Sequence, residues 1–120
     1  MFINYFKAAI YISFKSYEEA MKAEKKLGIF FRNQSLSKKN DFATLKDYID
    51  KAMSILSPSE ARILKLRFGL EDGRARELEE VGREFGVSKE RIRQIETKAL
   101  KKIRYSSESE KIKEFITSDK

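Results

Sequence analysis

The stretch Leu78–Arg104 reads LEEVGREFGVSKERIRQIETKALKKIR. Leu78, Val81 and Phe85 recur at the spacing of one helix face, in a segment of only about two turns that Gly86 closes. Glycine takes left-handed backbone angles cheaply, so Gly86 predicts a sharp stop. Ser88 then stands as a helix cap with Glu90 in the first turn behind it, and Ile92, Ile95, Ala99, Leu100 and Ile103 mark one stripe of a longer helix. A short helix, a glycine turn and a capped basic helix, in that order, make a helix-turn-helix. Residues 89–104 carry seven basic side chains and two acidic ones. The basic ones fall mainly off the apolar stripe, so one face packs and the other is a cationic rail.

In such a motif the opening turns of the second helix enter the major groove, where exposed side chains meet base edges. Lys89, Glu90, Arg93 and Gln94 occupy those turns. Lysine and arginine donate to the guanine edge, glutamate accepts from the cytosine amino group and glutamine pairs with adenine, so this quartet can discriminate sequence. Arg91 lies nearer the helix flank, where a phosphate is the natural partner. Arg62, Lys65 and Arg67, on the helix before the motif, are either a solvated face or clamps on phosphates beside the groove. A charge run by itself is usually a solvated face, but that reading does not account for the ordered helix, turn and cap.

The composition agrees with a nucleic-acid partner. Within 120 residues, 26 Lys and Arg face 19 Asp and Glu, a formal charge of +7, which favours polyanions. Cysteine and histidine are both absent, which removes disulfides, thiol nucleophiles, imidazole bases and nearly every zinc arrangement. No glycine-rich phosphate loop or activated serine accompanies the carboxylates and lysines. We therefore expect no enzyme, no catalytic residue, no cofactor and no metal. Phe2–Phe14 is the one apolar run long enough to question, but it is too short to span a membrane and is broken by Asn4 and Lys7. A cytoplasmic protein with no membrane partner is expected.

The expected fold is mainly α, a small helical bundle containing the helix-turn-helix, with a small βαβ-like arm at the N-terminus. Residues 1–40 form that arm, ending in a polar linker over 33–40, and residues 41–120 form the DNA-binding domain. In the arm, Ile10–Phe14 reads as a strand, Ser16 caps a helix over Tyr17–Leu27, Gly28 stops it and Ile29–Phe31 reads as a second strand. So small a unit needs a surface to dock on, in this chain or in a partner. Farther on, Asp41 is placed to cap a helix bearing Leu45, Tyr48, Ile49, Ala52, Met53 and Leu56. Ser57-Pro58-Ser59-Glu60 then has capping-box spacing and opens a helix that runs through Ile63, Leu64 and Leu66 to Phe68 and Gly69. After the Asp72-Gly73 turn and the motif itself, a polar break over Ser106–Ser109 precedes a last helix with Ile112, Phe115 and Ile116.

LSPSEARILKLRFGLEDG from Leu56, followed by LEEVGREFGVSKERIRQIETKALKKIR, closely resembles region 4 of the primary, sigma-70-type sigma factors of bacterial RNA polymerase. The resemblance implies recognition of the promoter minus-35 element in double-stranded DNA by the Lys89 helix, and docking on the flap of the polymerase β subunit. By that resemblance Lys89, Glu90 and Gln94 are base readers and Arg93 and Arg67 are backbone or edge contacts. Leu78 and Glu79 contact phosphates through main-chain N–H groups, and Ser88 joins the backbone contacts. Lys98, Lys101 and Arg104 match positions that meet transcription activators, and as bare residues they read as exposed cations. An alternative of a different class is a regulator that occupies the β-flap, an activator or an anti-sigma factor, with DNA contact secondary. The sequence departs from the family's pattern at Lys89 and Ser59, where arginine is usual, at Glu77, where a capping threonine is usual, and at Tyr105-Ser106, where histidine-proline is usual. Nothing in residues 1–40 resembles the family's other regions, so the chain is not expected to direct initiation alone. A bacterial, nucleoid-associated location follows.

Overall fold

A computed structural model describes residues 2–14, 16, 18–25 and 39–117, and no strand occurs among them. In chain order the helices are α1 (Phe2–Ser13), α2 (residues 18–25), α3 (Lys39–Met53), α4 (Pro58–Phe68), α5 (Leu78–Phe85), α6 (Lys89–Arg104) and α7 (Ser107–Thr117). Their ends follow from local chemistry. Before α4, Ser57 Oγ accepts from the Glu60 N–H at 3.2 Å while Glu60 Oε1 accepts from the Ser57 N–H at 3.1 Å, a reciprocal capping box. Pro58 takes the first helical position, where its missing N–H removes no helical hydrogen bond. Gly69 ends the helix at φ 69°. A Cβ there would sit 2.6 Å from Ala75 N, so only glycine admits both the angle and the returning chain.

Three expectations are corrected. Ile10–Phe14 is not a strand, because α1 runs through Ile10 to Ser13. Its β-branched isoleucines suggest extended chain, but Tyr5, Phe6, Ala8, Ala9, Ile10 and Ile12 are all buried, and a helix apolar on most sides is stable when surrounded. Asp41 does not precede α3 but lies inside it, the helix starting at Lys39. The polar break before α7 is confined to Tyr105 and Ser106, since Ser107 already opens the helix and Ser109 Oγ turns back to the Ser106 carbonyl at 2.9 Å. The Ser16 cap is present, accepting from the Glu19 N–H at 3.2 Å. Gly28, the Ile29–Phe31 strand and the linker up to residue 38 lie outside the described residues.

α4 and α6 are shared by two apolar clusters. The larger one gathers α1, Ala20 of α2, α3, one side of α4 and α6, and α7, with Ile10, Ile12, Leu45, Ile49, Leu64, Leu100, Ile103 and Ile112 fully enclosed. Polar contacts fix α1 at both ends. Asn4 Nδ2 donates to the Phe68 carbonyl at the end of α4 at 2.9 Å and to the Gly73 carbonyl in the loop beyond it at 3.2 Å. At the other end Arg104 donates to the Tyr11 carbonyl through Nε at 3.2 Å and Nη2 at 2.9 Å. The Tyr11 and Phe68 rings lie 6.0 Å apart between these clamps. The smaller cluster, Ile63, Leu66, Val81 and Ile92 with Leu78, Phe85 and Ile95 around it, seats α5 on the opposite side of α4 and α6.

Candidate nucleic-acid interface

The turn between α5 and α6 is tight because two glycines permit it. Gly86 takes φ 72°. A Cβ on Gly82 would meet the Val87 carbonyl oxygen at 2.7 Å, and the Val87 N–H donates to the Gly82 carbonyl at 2.9 Å. The start of α6 is therefore pressed against α5. Ser88 Oγ accepts from the Arg91 N–H at 3.1 Å and caps α6. At the start of α5, Glu77 and Glu80 stand in capping-box positions, and Glu80 reaches back to accept from the Glu77 N–H at 3.4 Å.

α6 buries Ile92, Glu96, Ala99, Leu100 and Ile103. Lys89, Glu90, Arg93 and Gln94 are all exposed, and as two pairs four residues apart they form adjacent ridges on one face. Ser88 and Arg91 are exposed beside them, with Arg91 Nη1 donating to Gln94 Oε1 at 3.4 Å. Lys89 Nζ stands 3.6 Å from Glu79 Oε1, which ties the first residue of α6 to the first turn of α5. Leu78 is half-buried against the small cluster and Glu79 is exposed. The opening N–H groups of α5 have no acceptor within the helix and lie at its positive end.

The other cations are less uniform than the sequence suggests. Arg62 pairs with Glu84 at 3.2 Å across α4 and α5, both well exposed. Arg67 turns inward, its Nε 3.2 Å from both oxygens of Glu96 and its Nη1 2.7 Å from the Arg76 carbonyl. Lys98 and Lys101 are exposed, whereas Arg104 is not the exposed cation expected, being half-buried and bonded to α1. Apolar α1 brings a carbonyl within its reach.

The burial of two carboxylates escapes the sequence reading, which names Glu60 only for its capping-box spacing. Glu60 accepts from Lys102 Nζ through both oxygens at 3.0 Å, and the Ser57 N–H together with Lys102 holds its carboxyl below the usual glutamate range. Glu96 is raised instead, because burial outweighs the nearby Arg67 charge. The signal for Glu96 lies in the helix pattern. With Ile92, Ala99 and Ile103 it completes one stripe, and a carboxylate on a buried stripe requires a cation from a neighbour. In the loop before α5, Arg76 donates to Asp72 and, with the Arg74 N–H, holds the Asp72 carboxyl down to about 2. Arg74 bonds Glu80 at 3.0 Å. Among the described residues no group of acidic side chains is placed to hold a metal ion, and no helix is long and apolar enough to cross a membrane.

The chain is similar in sequence to known proteins. Residues 52–105 match the family described as sigma-70, region 4. The "RNA polymerase sigma factor SigA" of Clostridium acetobutylicum is 56% identical over 75 residues, which cover 62% of this chain and 20% of that protein. Proteins of the same name from Listeria monocytogenes and Listeria innocua are each 48% identical over 93 residues, covering 75% of this chain and 25% of theirs. The chain thus spans a fifth to a quarter of the length of the curated relatives it matches. With the helix-turn-helix of α5 and α6 inside the matched segment, residues 52–105 form a domain of the sigma-70, region 4 type.

Proposed function

We propose that this chain reads the minus-35 element of bacterial promoters as a region 4 module and tethers that DNA to RNA polymerase through the β-flap, without catalysis. The observation that carries this reading is the exposed quartet Lys89, Glu90, Arg93 and Gln94 at the start of a buried-backed helix. The opening turns of α6 lie in the major groove. Lys89 releases Glu79 and donates to a guanine edge as a point charge, less selectively than an arginine fork. Glu90 accepts from cytosine, and Gln94 leaves Arg91 to pair with adenine. Arg93 serves a base edge or the backbone, and Arg91, Ser88 and Arg62 serve phosphates. The N–H groups of Leu78 and Glu79 meet a phosphate at the positive end of α5. Lys98 and Lys101 remain on the surface for an upstream activator. These partners place the chain in the bacterial cytoplasm, on the nucleoid.

Fluorescence anisotropy with a promoter minus-35 duplex tests the DNA role. With about four to six phosphate contacts, the log-log dependence of affinity on salt has a slope of about −4 to −5. A flat salt response overturns the reading. Capture of a β-flap peptide by the same chain, measured in parallel, tests the tether and separates this module from a regulator that binds only protein.

A further inference from the structure

A reader of duplex DNA has to hold two things at a fixed distance, the helix end that meets phosphate and the side chains that meet bases. Phosphate contacts set register, and base contacts then succeed or fail by small displacements, with about 0.5 Å as the tolerance of such constellations. Between the start of α5 and the start of α6 the apolar support is thin, and one polar element crosses all the pieces. Arg67, on α4, holds Glu96 of α6 through Nε and the Arg76 carbonyl, just ahead of α5, through Nη1. The Arg76 N–H in turn donates to the Leu66 carbonyl at 3.1 Å, so both sides of that residue's backbone are tied to α4. The side chain of Glu96 retains 5% exposure and that of Arg67 26%. A pair this enclosed adds little net stability, since the desolvation of two charges offsets their attraction and apolar residues of like volume do as well. Its particular contribution is geometry. A planar guanidinium serves two acceptors in fixed directions at once, and a lysine ammonium does not.

We propose that Arg67, held by Glu96, is a positioning residue for base recognition, setting the offset between the phosphate-facing start of α5 and the base-facing start of α6. The inference rests on the DNA-reading function proposed above and gives Arg67 an indirect part in it, distinct from a phosphate contact.

The test uses the full chain and three variants: Arg67→Lys, Glu96→Gln, and the paired Arg67→Met with Glu96→Leu. The probes are a duplex enriched from a randomised pool by the wild-type chain and a scrambled duplex of the same length. Anisotropy gives the affinity ratio between them and the salt slope, and thermal unfolding gives the midpoint of each variant. The expected result is a ratio reduced at least about tenfold in all three, the scale of one misread base pair, with an unchanged salt slope. The paired variant is expected to stay folded, with a midpoint near that of the wild type. An unchanged ratio in all three overturns the proposal. So does a ratio that recovers on cooling well below a variant's midpoint, because only stability was then lost. A slope that falls by about one in the paired variant, with Arg67→Lys and Glu96→Gln unaffected, makes Arg67 a phosphate contact and also overturns it. Failure of the underlying reading shows separately, as a wild-type chain that enriches no sequence.

Discussion

The two apolar clusters share α4 and α6 but differ in how they are made. The one beneath the helix-turn-helix encloses Ile63, Leu66, Val81 and Ile92, all within thirty residues of one another. The other draws its buried side chains from Tyr5 to Ile116. The helix-turn-helix end is a short, local assembly with a polar strut across it, seated on a broad base built from residues far apart in the chain. Under the proposed function, stability and reading are separable: the base holds the molecule folded, while the thin cluster and its strut hold the reading elements in place.

Removing residues 1–16 is the strongest way to break that division. Burial of Ile10 and Ile12 alone contributes roughly 3–6 kcal/mol, against a typical total of about 5–15 kcal/mol. The truncated chain is expected to lose most of its urea resistance, and an unchanged midpoint would show that the base does not depend on α1. Single cavities come next. Ile103→Ala should destabilise the whole molecule by about 2–5 kcal/mol. Val81→Ala, losing about two buried carbons, should cost roughly 2 kcal/mol and act locally. Hydrogen exchange distinguishes the two, with α5 amides exposed first in Val81→Ala and protection lost throughout in Ile103→Ala.

The glycines sharpen the contrast further. Nothing lies within 4 Å of a Cβ on Gly86, so Gly86→Ala should cost only the left-handed backbone term, about 1–2 kcal/mol. Gly69→Ala adds clashes with the backbone of Arg74 and Ala75 and should lower the denaturation midpoint clearly more. The smallest effect is in the carboxylates. Glu60, lowered, contributes stability present above the usual glutamate range and lost as pH falls through its own value. Glu96, raised, contributes in the opposite sense, with stability present below that range and lost as pH rises through its own value. Unfolding midpoints of Glu60→Gln should therefore approach those of the wild type as pH falls from neutral. Those of Glu96→Gln should gain on the wild type as pH rises. Carboxyl NMR titration should place Glu60 below Glu96, and the reverse order would refute both assignments.

What could be read from the residues follows the same division. Ser57, Pro58, Gly69, Gly86 and Ser88 act on their immediate neighbours, so the boundaries of α4, α5 and α6 are visible in sequence, as is the exposed quartet on α6. α1 is not legible locally, because its isoleucines favour extended chain, and its helix is stabilised by side chains as distant as Ile112. Arg67 and Glu96 stand 29 positions apart. No periodicity within α4 reveals which way Arg67 turns. The misplaced carboxylate in the stripe of α6 was the available clue, and it named a need for a cation without naming the donor.

The clamp from Arg104 to Tyr11 joins residues 93 positions apart, and this has a bearing on biosynthesis. A ribosome delivers FINYFKAAIYIS long before α6 and α7 exist to cover it. Until they emerge that greasy segment waits in water, a natural ligand for chaperones and a hazard for self-association. Late closure of this kind also predicts slow folding for so helical a chain, since helices usually meet near neighbours first.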